Sequence, residues 1–188
     1  MFCGSSAGAD AKFEQEAYKL GKTLADQHID LIYGGAIVGL MGAVANGVME
    51  NGGRAIGVLP HFLRDKEIAH HNLTELVMVD TMHERKTKMN ELSDGVIALP
   101  GGFGTLEELF EMLTWAQLGL HKKTIAILNT NGFYDELLSL LQNMVDKGFL
   151  KPINREMLLV SDDIDRLILM LREYRAPAVN KWIKKSEV

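Results

Sequence analysis

The run from Asp94 to Ala116 constrains this chain more than any other. Asp94-Gly95-Val96-Ile97-Ala98-Leu99 is a short apolar stretch of the kind that forms a buried strand. Pro100-Gly101-Gly102-Phe103-Gly104 follows, and Thr105 to Ala116 carries apolar residues at helical spacing. Strand, glycine turn and helix together make the first part of a βαβ unit, the crossover that parallel sheets require. The glycines let the backbone come close to a ligand and aim several N–H groups at it. A helix opening at Thr105 adds the positive end of its dipole, so the turn suits a phosphate. The same residues also fit a plainer pattern. Thr105-x-x-Glu108 is a capping box, whose side chains satisfy the helix's orphan N–H groups, and glycine-rich turns are common.

The alternation repeats along the chain. Met1-Phe2-Cys3 ends a first strand, and Gly4-Ser5-Ser6-Ala7-Gly8 is a small-residue loop. Asp10 is placed to cap a helix with Phe13, Ala17, Leu20 and Leu24 on one face. Asp30 to Tyr33 makes a second strand running into Gly34-Gly35, and Gly39-Leu40-Met41-Gly42 opens a helix that Gly52-Gly53 stops. Strands follow at 54–59 and 75–79, separated by a polar connection from Pro60 to Asn72. Thr81-x-x-Glu84 is a second capping box, for a helix over 82–93. Beyond the glycine turn come a strand at 124–128, a helix near 133–147 and a last strand at 157–160. Asp162 caps a final helix to about Arg175, Pro177 ends it, and the tail around Trp182 is expected to pack on a neighbouring surface. The pattern predicts an α/β fold in one domain, residues 1–188, with a parallel sheet covered by helices on both faces.

In such sheets ligands sit beyond the C-terminal ends of the strands, near the reversal of strand order. The loops at 4–8, 34–42 and 100–105 all follow strands and belong on that edge. Their convergence points to a phosphate or nucleotide site. Neither common fingerprint is present. Gly-x-Gly-x-x-Gly does not follow the first strand, and no Gly-Lys-Ser or Gly-Lys-Thr occurs. Hydride transfer and P-loop hydrolysis are both demoted.

Acidic residues outnumber basic ones 25 to 20, and no lysine or arginine run marks a nucleic-acid stripe. Cys3 is the single cysteine, which rules out an internal disulfide and fits a reducing compartment. No apolar run approaches the roughly 20 residues of a membrane span, and no signal-peptide pattern is present, so a cytoplasmic protein is expected. The six histidines lack metal-ligand spacing, and no metal is expected. Arg85 and Lys86 lie one turn into their helix, near the same edge. Arginine offers a planar, permanently charged fork for a phosphate or hydroxyl-rich ligand. The plainer outcome is a surface ion pair with Glu84 or Glu91. Glu107 and Glu108 sit in a helix's first turn, where the dipole should lower their pKa values. An ionised carboxylate there suits stabilising positive charge on a sugar or activating water, rather than acting as a resting acid. Glu67 is a further carboxylate that can reach the edge.

Pro-Gly-Gly-Phe-Gly-Thr-Leu-Glu-Glu at 100–108, with Met82-His83-Glu84-Arg85-Lys86 ahead of it, resembles the LONELY GUY family. These are cytokinin riboside 5′-monophosphate phosphoribohydrolases, long mislabelled as lysine decarboxylases. Similarity extends through Phe2-Cys3-Gly4-Ser5-Ser6, Tyr33-Gly34-Gly35, Gly39-Leu40-Met41-Gly42, Gly57-Val58-Leu59-Pro60 and Thr114-Trp115-Ala116-Gln117-Leu118-Gly119. The resemblance implies a Rossmann-like doubly wound sheet, a homodimer, and a nucleoside 5′-monophosphate substrate with no cofactor. It assigns Arg85 and Glu108 to catalysis. Substrate contacts would come from Glu67, Lys86, Gly102, Phe103, Gly104, Thr105, Leu106, Glu107 and Thr114, with Ser5, Gly34 and Gly35 lining the converging loops. The chain departs from the family at Ala36, where a third glycine is usual, and in a shorter first strand. Similar folds carry nucleotides or molybdenum cofactor without cleaving a bond, which leaves a non-enzymatic binder as the alternative. For the decarboxylase label, no lysine stands out as a Schiff-base partner for pyridoxal phosphate.

Overall fold

The computed structural model describes residues 1–64 and 68–177. Glu67 and the Trp182 tail lie outside the described residues. Among the described residues, short apolar runs form six strands: β1 (Leu31–Tyr33), β2 (Ala55–Pro60), β3 (Glu75–Val79), β4 (Gly95–Ala98), β5 (Thr124–Leu128) and β6 (Leu158–Ser161). They pair in parallel as two half-sheets, ordered β1-β2-β3 and β4-β5-β6. Residues 1–3 join the halves. Phe2 bridges to Ala98, with Phe2 N–H donating to Ile97 O at 3.0 Å and Leu99 N–H to Phe2 O at 2.9 Å. On the other side the Met1 nitrogen donates to Ile32 O at 2.7 Å. The chain thus winds outward from the centre to β3, then crosses back and winds outward to β6. This is the doubly wound arrangement, with its switch point beside residues 1–4. The expected first strand is reduced to one bridged residue between longer neighbours.

Helices α1 (Ala11–Asp26) and α2 (Gly39–Glu50) cover one face together with α8 (Ile164–Glu173); α4 (Met82–Leu92), α5 (Phe103–Gln117) and α6 (Asp135–Asp146) cover the other. Strand side chains alternate between these two cores with the period of the pleat. In β5, Ile125 and Ile127 join the α4–α6 side, while Ala126 and Leu128 join the α1 side. The α1–α2 contact is tight because both helices place glycine in it. A Cβ on Gly21 would lie 2.2 Å from Val44 O, and one on Gly47 would lie 2.1 Å from Tyr18 O. Two single-turn helices, α3 (His61–Arg64) and α7 (Pro152–Arg155), fall in stretches expected to be irregular. No helix among the described residues is long and apolar enough to cross a membrane.

Caps explain where helices start, and three differ from the sequence expectation. Asp10 caps α1 as expected, accepting from Lys12 N–H at 2.9 Å. At α4, Thr81 Oγ1 accepts from Glu84 N–H, but the Glu84 carboxylate accepts from Asp80 N–H, one residue earlier than a standard box. At α8 the cap is Asp163, not Asp162. Ser161 Oγ takes the Asp163 N–H, which turns the chain so that the Asp163 carboxylate meets Arg166 N–H at 2.8 Å. Helix α5 starts at Phe103, two residues before Thr105, with Gly102 as a cap that offers no side chain. Thr105 is buried against Gly101 within the first turn, so the Thr105–Glu108 capping box does not form.

Candidate active site

Three small-residue loops meet at one residue. Gly4 N–H donates to Pro100 O at 3.0 Å, and Gly4 O accepts from Leu40 N–H at 3.1 Å. The loop after residues 1–3 is therefore bonded both to the glycine turn and to the start of α2. Most glycines here serve that packing. A Cβ on Gly39 would lie 2.4 Å from the Ser5 carbonyl carbon, and one on Gly101 would lie 2.1 Å from Thr105 Oγ1. Gly102 and Gly104 differ. Both are exposed, and a Cβ on either would meet nothing within 4 Å. Nothing among the described residues demands glycine at these two positions. Their bareness leaves open space in front of α5, where the N–H groups of Phe103, Gly104 and Thr105 have no intrahelical partners. Phe103, between them, is 93% exposed.

Beside the turn, α4 and α5 start at the same edge and face each other. Arg85 lies almost buried over the ends of β1 and β2. Its Nε donates to Val58 O at 3.1 Å, and one terminal nitrogen reaches Glu108 Oε1 at 3.4 Å. A Cβ on Gly34 would come within 2.0 Å of the other terminal nitrogen, so the guanidinium fits only because that position has no side chain. Glu108 is not held below the usual range, as the dipole argument expected. Burial pushes its carboxyl up, and the Arg85 guanidinium opposes that rise without cancelling it. Arg85 pairs with neither Glu84 nor Glu91.

Lys86, the next residue, donates to Glu107 at 2.6 Å and to Glu111 at 3.0 Å, clamping α4 to α5. Its hydrogen bond to Glu107 holds the ammonium pKa above the ordinary lysine value. Of the other sequence-selected residues, Ser5 and Glu107 are exposed on this edge and Leu106 is half-buried. Gly34 and Gly35 are buried, and packing accounts for them: Gly35 has φ +78° and sits against Leu59 and Leu76. Thr114 stands apart. It lies nine residues beyond Thr105, about 14 Å along the helix at 1.5 Å per residue, and its hydroxyl bonds back to Phe110 O. Cys3 is a buried thiol just past the Phe2 bridge, its pKa pushed up to about 12 by burial. Sequence reasoning missed Glu111 and Val58. The Glu107/Glu111 spacing of four residues on one helix face signals the first; a backbone carbonyl leaves no signal.

Cavity size does not mark this chemistry. A cavity of about 590 Å³ opens at the opposite end of the sheet, between Met1, Ile32, Gly95, Ile97 and Ile168, and neither Arg85 nor Glu108 lines it. Another of about 410 Å³ is lined by Arg64, His70 and Leu76.

A sheet wound both ways from its centre, with three loops bonded together at the switch point, belongs to the class of Rossmann-like α/β proteins that hold ligands there. Comparison with known proteins narrows the class. Residues 41–171 match the family described as possible lysine decarboxylase. The chain is 43% identical over 174 residues to cytokinin riboside 5′-monophosphate phosphoribohydrolase LOG7 of Arabidopsis thaliana, covering 93% of this chain and 80% of the relative. It is 46% identical over 173 residues to the phosphoribohydrolase of the same name from Rhodococcoides fascians, covering 92% of this chain and 87% of the relative. Among solved structures, a molybdenum cofactor binding protein from Rippkaea orientalis superposes with a TM-score of 0.68 at 22% identity, over 90% of this chain and 92% of that one. The chain belongs to the LONELY GUY family. The decarboxylase wording in the family description fits the site poorly. A Schiff-base lysine needs a lowered pKa, and Lys86 is held the other way by its carboxylates.

Proposed function

We propose that this chain hydrolyses the N-glycosidic bond of a nucleoside 5′-monophosphate, releasing the free base and ribose 5-phosphate. The substrate is an adenosine 5′-monophosphate, with the N6-modified, cytokinin-type nucleotide as the favoured form. The names of relatives at 43% and 46% identity support this activity. The observation that carries the mechanism is the Arg85–Glu108 pair beside an unobstructed helix start.

The open amides of Phe103, Gly104 and Thr105 receive the 5′-phosphate, helped by the dipole of α5. Gly102 and Gly104 let its oxygens approach, while Ser5, Leu106 and Glu107 border the ligand and Gly34 and Gly35 set the floor. Binding energy from the phosphate anchors the substrate at a distance from the breaking bond. Glu108, as the carboxylate, stabilises positive charge as the C1′–N bond lengthens and directs water to C1′. Arg85 favours that ionised form despite burial, and it orients the leaving base. Lys86 holds the two helices at the spacing the pair needs. Glu67 and Thr114 are further contacts carried by the family resemblance; the homodimer and the cytoplasmic setting belong to the same proposal, in one domain.

Incubating the protein with adenosine monophosphate and its isopentenylated analogue should release free base, detected by chromatography. Ligand-dependent thermal stabilisation without any base would instead support a carrier. The likeness to molybdenum-cofactor proteins is one of fold and brings no ligand with it.

A further inference from the structure

The fourth loop on this edge has no place in the site described so far. It follows β5 and runs from Asn129 to Tyr134, just ahead of α6. Tyr134 is 1% exposed, and its hydroxyl donates to the Leu99 carbonyl oxygen at 2.6 Å. Because β4 ends at Ala98, this carbonyl is the first one past the strand. It stands immediately before Pro100-Gly101-Gly102, so the phenol fixes the direction in which the chain leaves the sheet for the turn. Tyr134 is itself held. Its N–H donates to Asn129 Oδ1 at 2.8 Å, Asn129 Nδ2 donates to Asp135 Oδ1 at 2.7 Å, and the Phe133 ring packs edge-on at 4.9 Å. Asn131 ties the same loop to Asp10, at the far end of the first small-residue loop, with a 2.7 Å bond. Burial raises the phenol pKa well above its ordinary value, so the donor keeps its proton.

We infer that Tyr134 is a positioning residue for the phosphate turn. Acting through the Leu99 carbonyl, its hydroxyl sets where the amides of Phe103, Gly104 and Thr105 point, and so how tightly a 5′-phosphate is held. This role rests on the phosphate reading of the turn. A group that orients phosphate-binding amides contributes to ground state and transition state alike, so its loss raises KM and spares kcat.

Tyr134→Phe removes one oxygen and keeps the ring packing. Steady-state kinetics with adenosine monophosphate and calorimetry with ribose 5-phosphate and with adenine separate the possibilities. The expected result is a rise of about tenfold in KM and in the ribose 5-phosphate Kd, the order of one lost neutral hydrogen bond. Turnover stays within about twofold and adenine affinity does not move. A ribose 5-phosphate Kd unchanged from wild type overturns the inference; so does an equal weakening for adenine, which signals general loosening. If the wild type cleaves no nucleotide, the hydrolase reading falls, while the ribose 5-phosphate titration still judges Tyr134. If the wild type does not bind ribose 5-phosphate, the positioning role falls with the turn. Should Tyr134→Phe fail to fold, Asn129→Ala loosens the same tyrosine from the half-buried rim. It should raise the ribose 5-phosphate Kd about threefold, and no change there overturns the role as well.

Discussion

Arg85 and Lys86 are neighbours on α4, and Glu108 and Glu107 are neighbours on α5, yet their two ion pairs work under opposite conditions. Lys86 makes the shorter contact, 2.6 Å to Glu107, but that glutamate side chain is 57% exposed. Arg85 and Glu108 stand 3.4 Å apart with side chains only 11% and 12% exposed. Water screens the first pair, and exposed pairs of that kind contribute about 0–1 kcal/mol. The second pair has lost most of its water, so each charge depends on the other. Breaking a buried pair by removing one partner costs on the order of 3–5 kcal/mol. Burial, not length, ranks them: one pair is a clamp, and in the other burial raises the Glu108 carboxyl while Arg85 opposes the rise.

The contrast breaks most sharply at Glu108. Glu108→Gln keeps the shape and removes the charge, and should lower kcat by about a hundredfold or more while free base release is followed by chromatography. Wild-type speed in this variant would sink the assigned role. Arg85→Ala should be nearly as damaging and also has a signature in pH. Because burial already lifts the Glu108 carboxyl, the acid limb of kcat/KM should lie above the 4.5 of an ordinary glutamate, with activity lost as pH falls through it. Without Arg85 the limb should move to still higher pH, since the opposing charge is gone. A limb that stays put would detach Arg85 from the carboxylate.

Gly34→Ala sharpens the comparison from the side. Its methyl would sit where the guanidinium lies, so Arg85 must shift. Overpacking of this kind costs about 1–3 kcal/mol, and kcat/KM should drop about tenfold in a protein that still unfolds cooperatively. Lys86→Met is the smallest effect expected. Thermal stability should fall by about 1 kcal/mol, mostly from the less exposed Glu111 contact, while the Glu107 part should shrink at high salt. A loss as large as that of Glu108→Gln would mean Lys86 touches the reacting atoms.

Much of this is legible in the sequence. Short apolar runs and capping residues predicted seven strands, of which six form and the first is reduced to a bridge, and three small-residue loops pointed to the edge where the candidate site lies. Chemistry that depends on burial was not legible. The dipole at α5 argued for a lowered Glu108 pKa, but nothing in Leu106-Glu107-Glu108 says that the second glutamate turns inward beneath Arg85. Glycine motifs also hid two different causes. Gly34 and Gly101 are bare because a neighbouring side chain occupies the space, whereas Gly102 and Gly104 are bare toward solvent. One-dimensional spacing cannot separate those cases, because the deciding atoms come from Arg85 and Thr105. The misplaced cap at Asp162 is a smaller example: Ser161, not the aspartate, decides where the chain turns.

Gly4 carries a consequence for how this protein comes into being. Its two backbone bonds reach residues 40 and 100, so closing the site demands contacts separated by up to about a hundred residues, the costly kind for a folding chain. Neither half of the polypeptide holds all three loops, and the turn at Pro100 is bonded to the amino-terminal loop through Gly4. Competence to grip a ligand should therefore appear late in refolding, after helical signal has recovered.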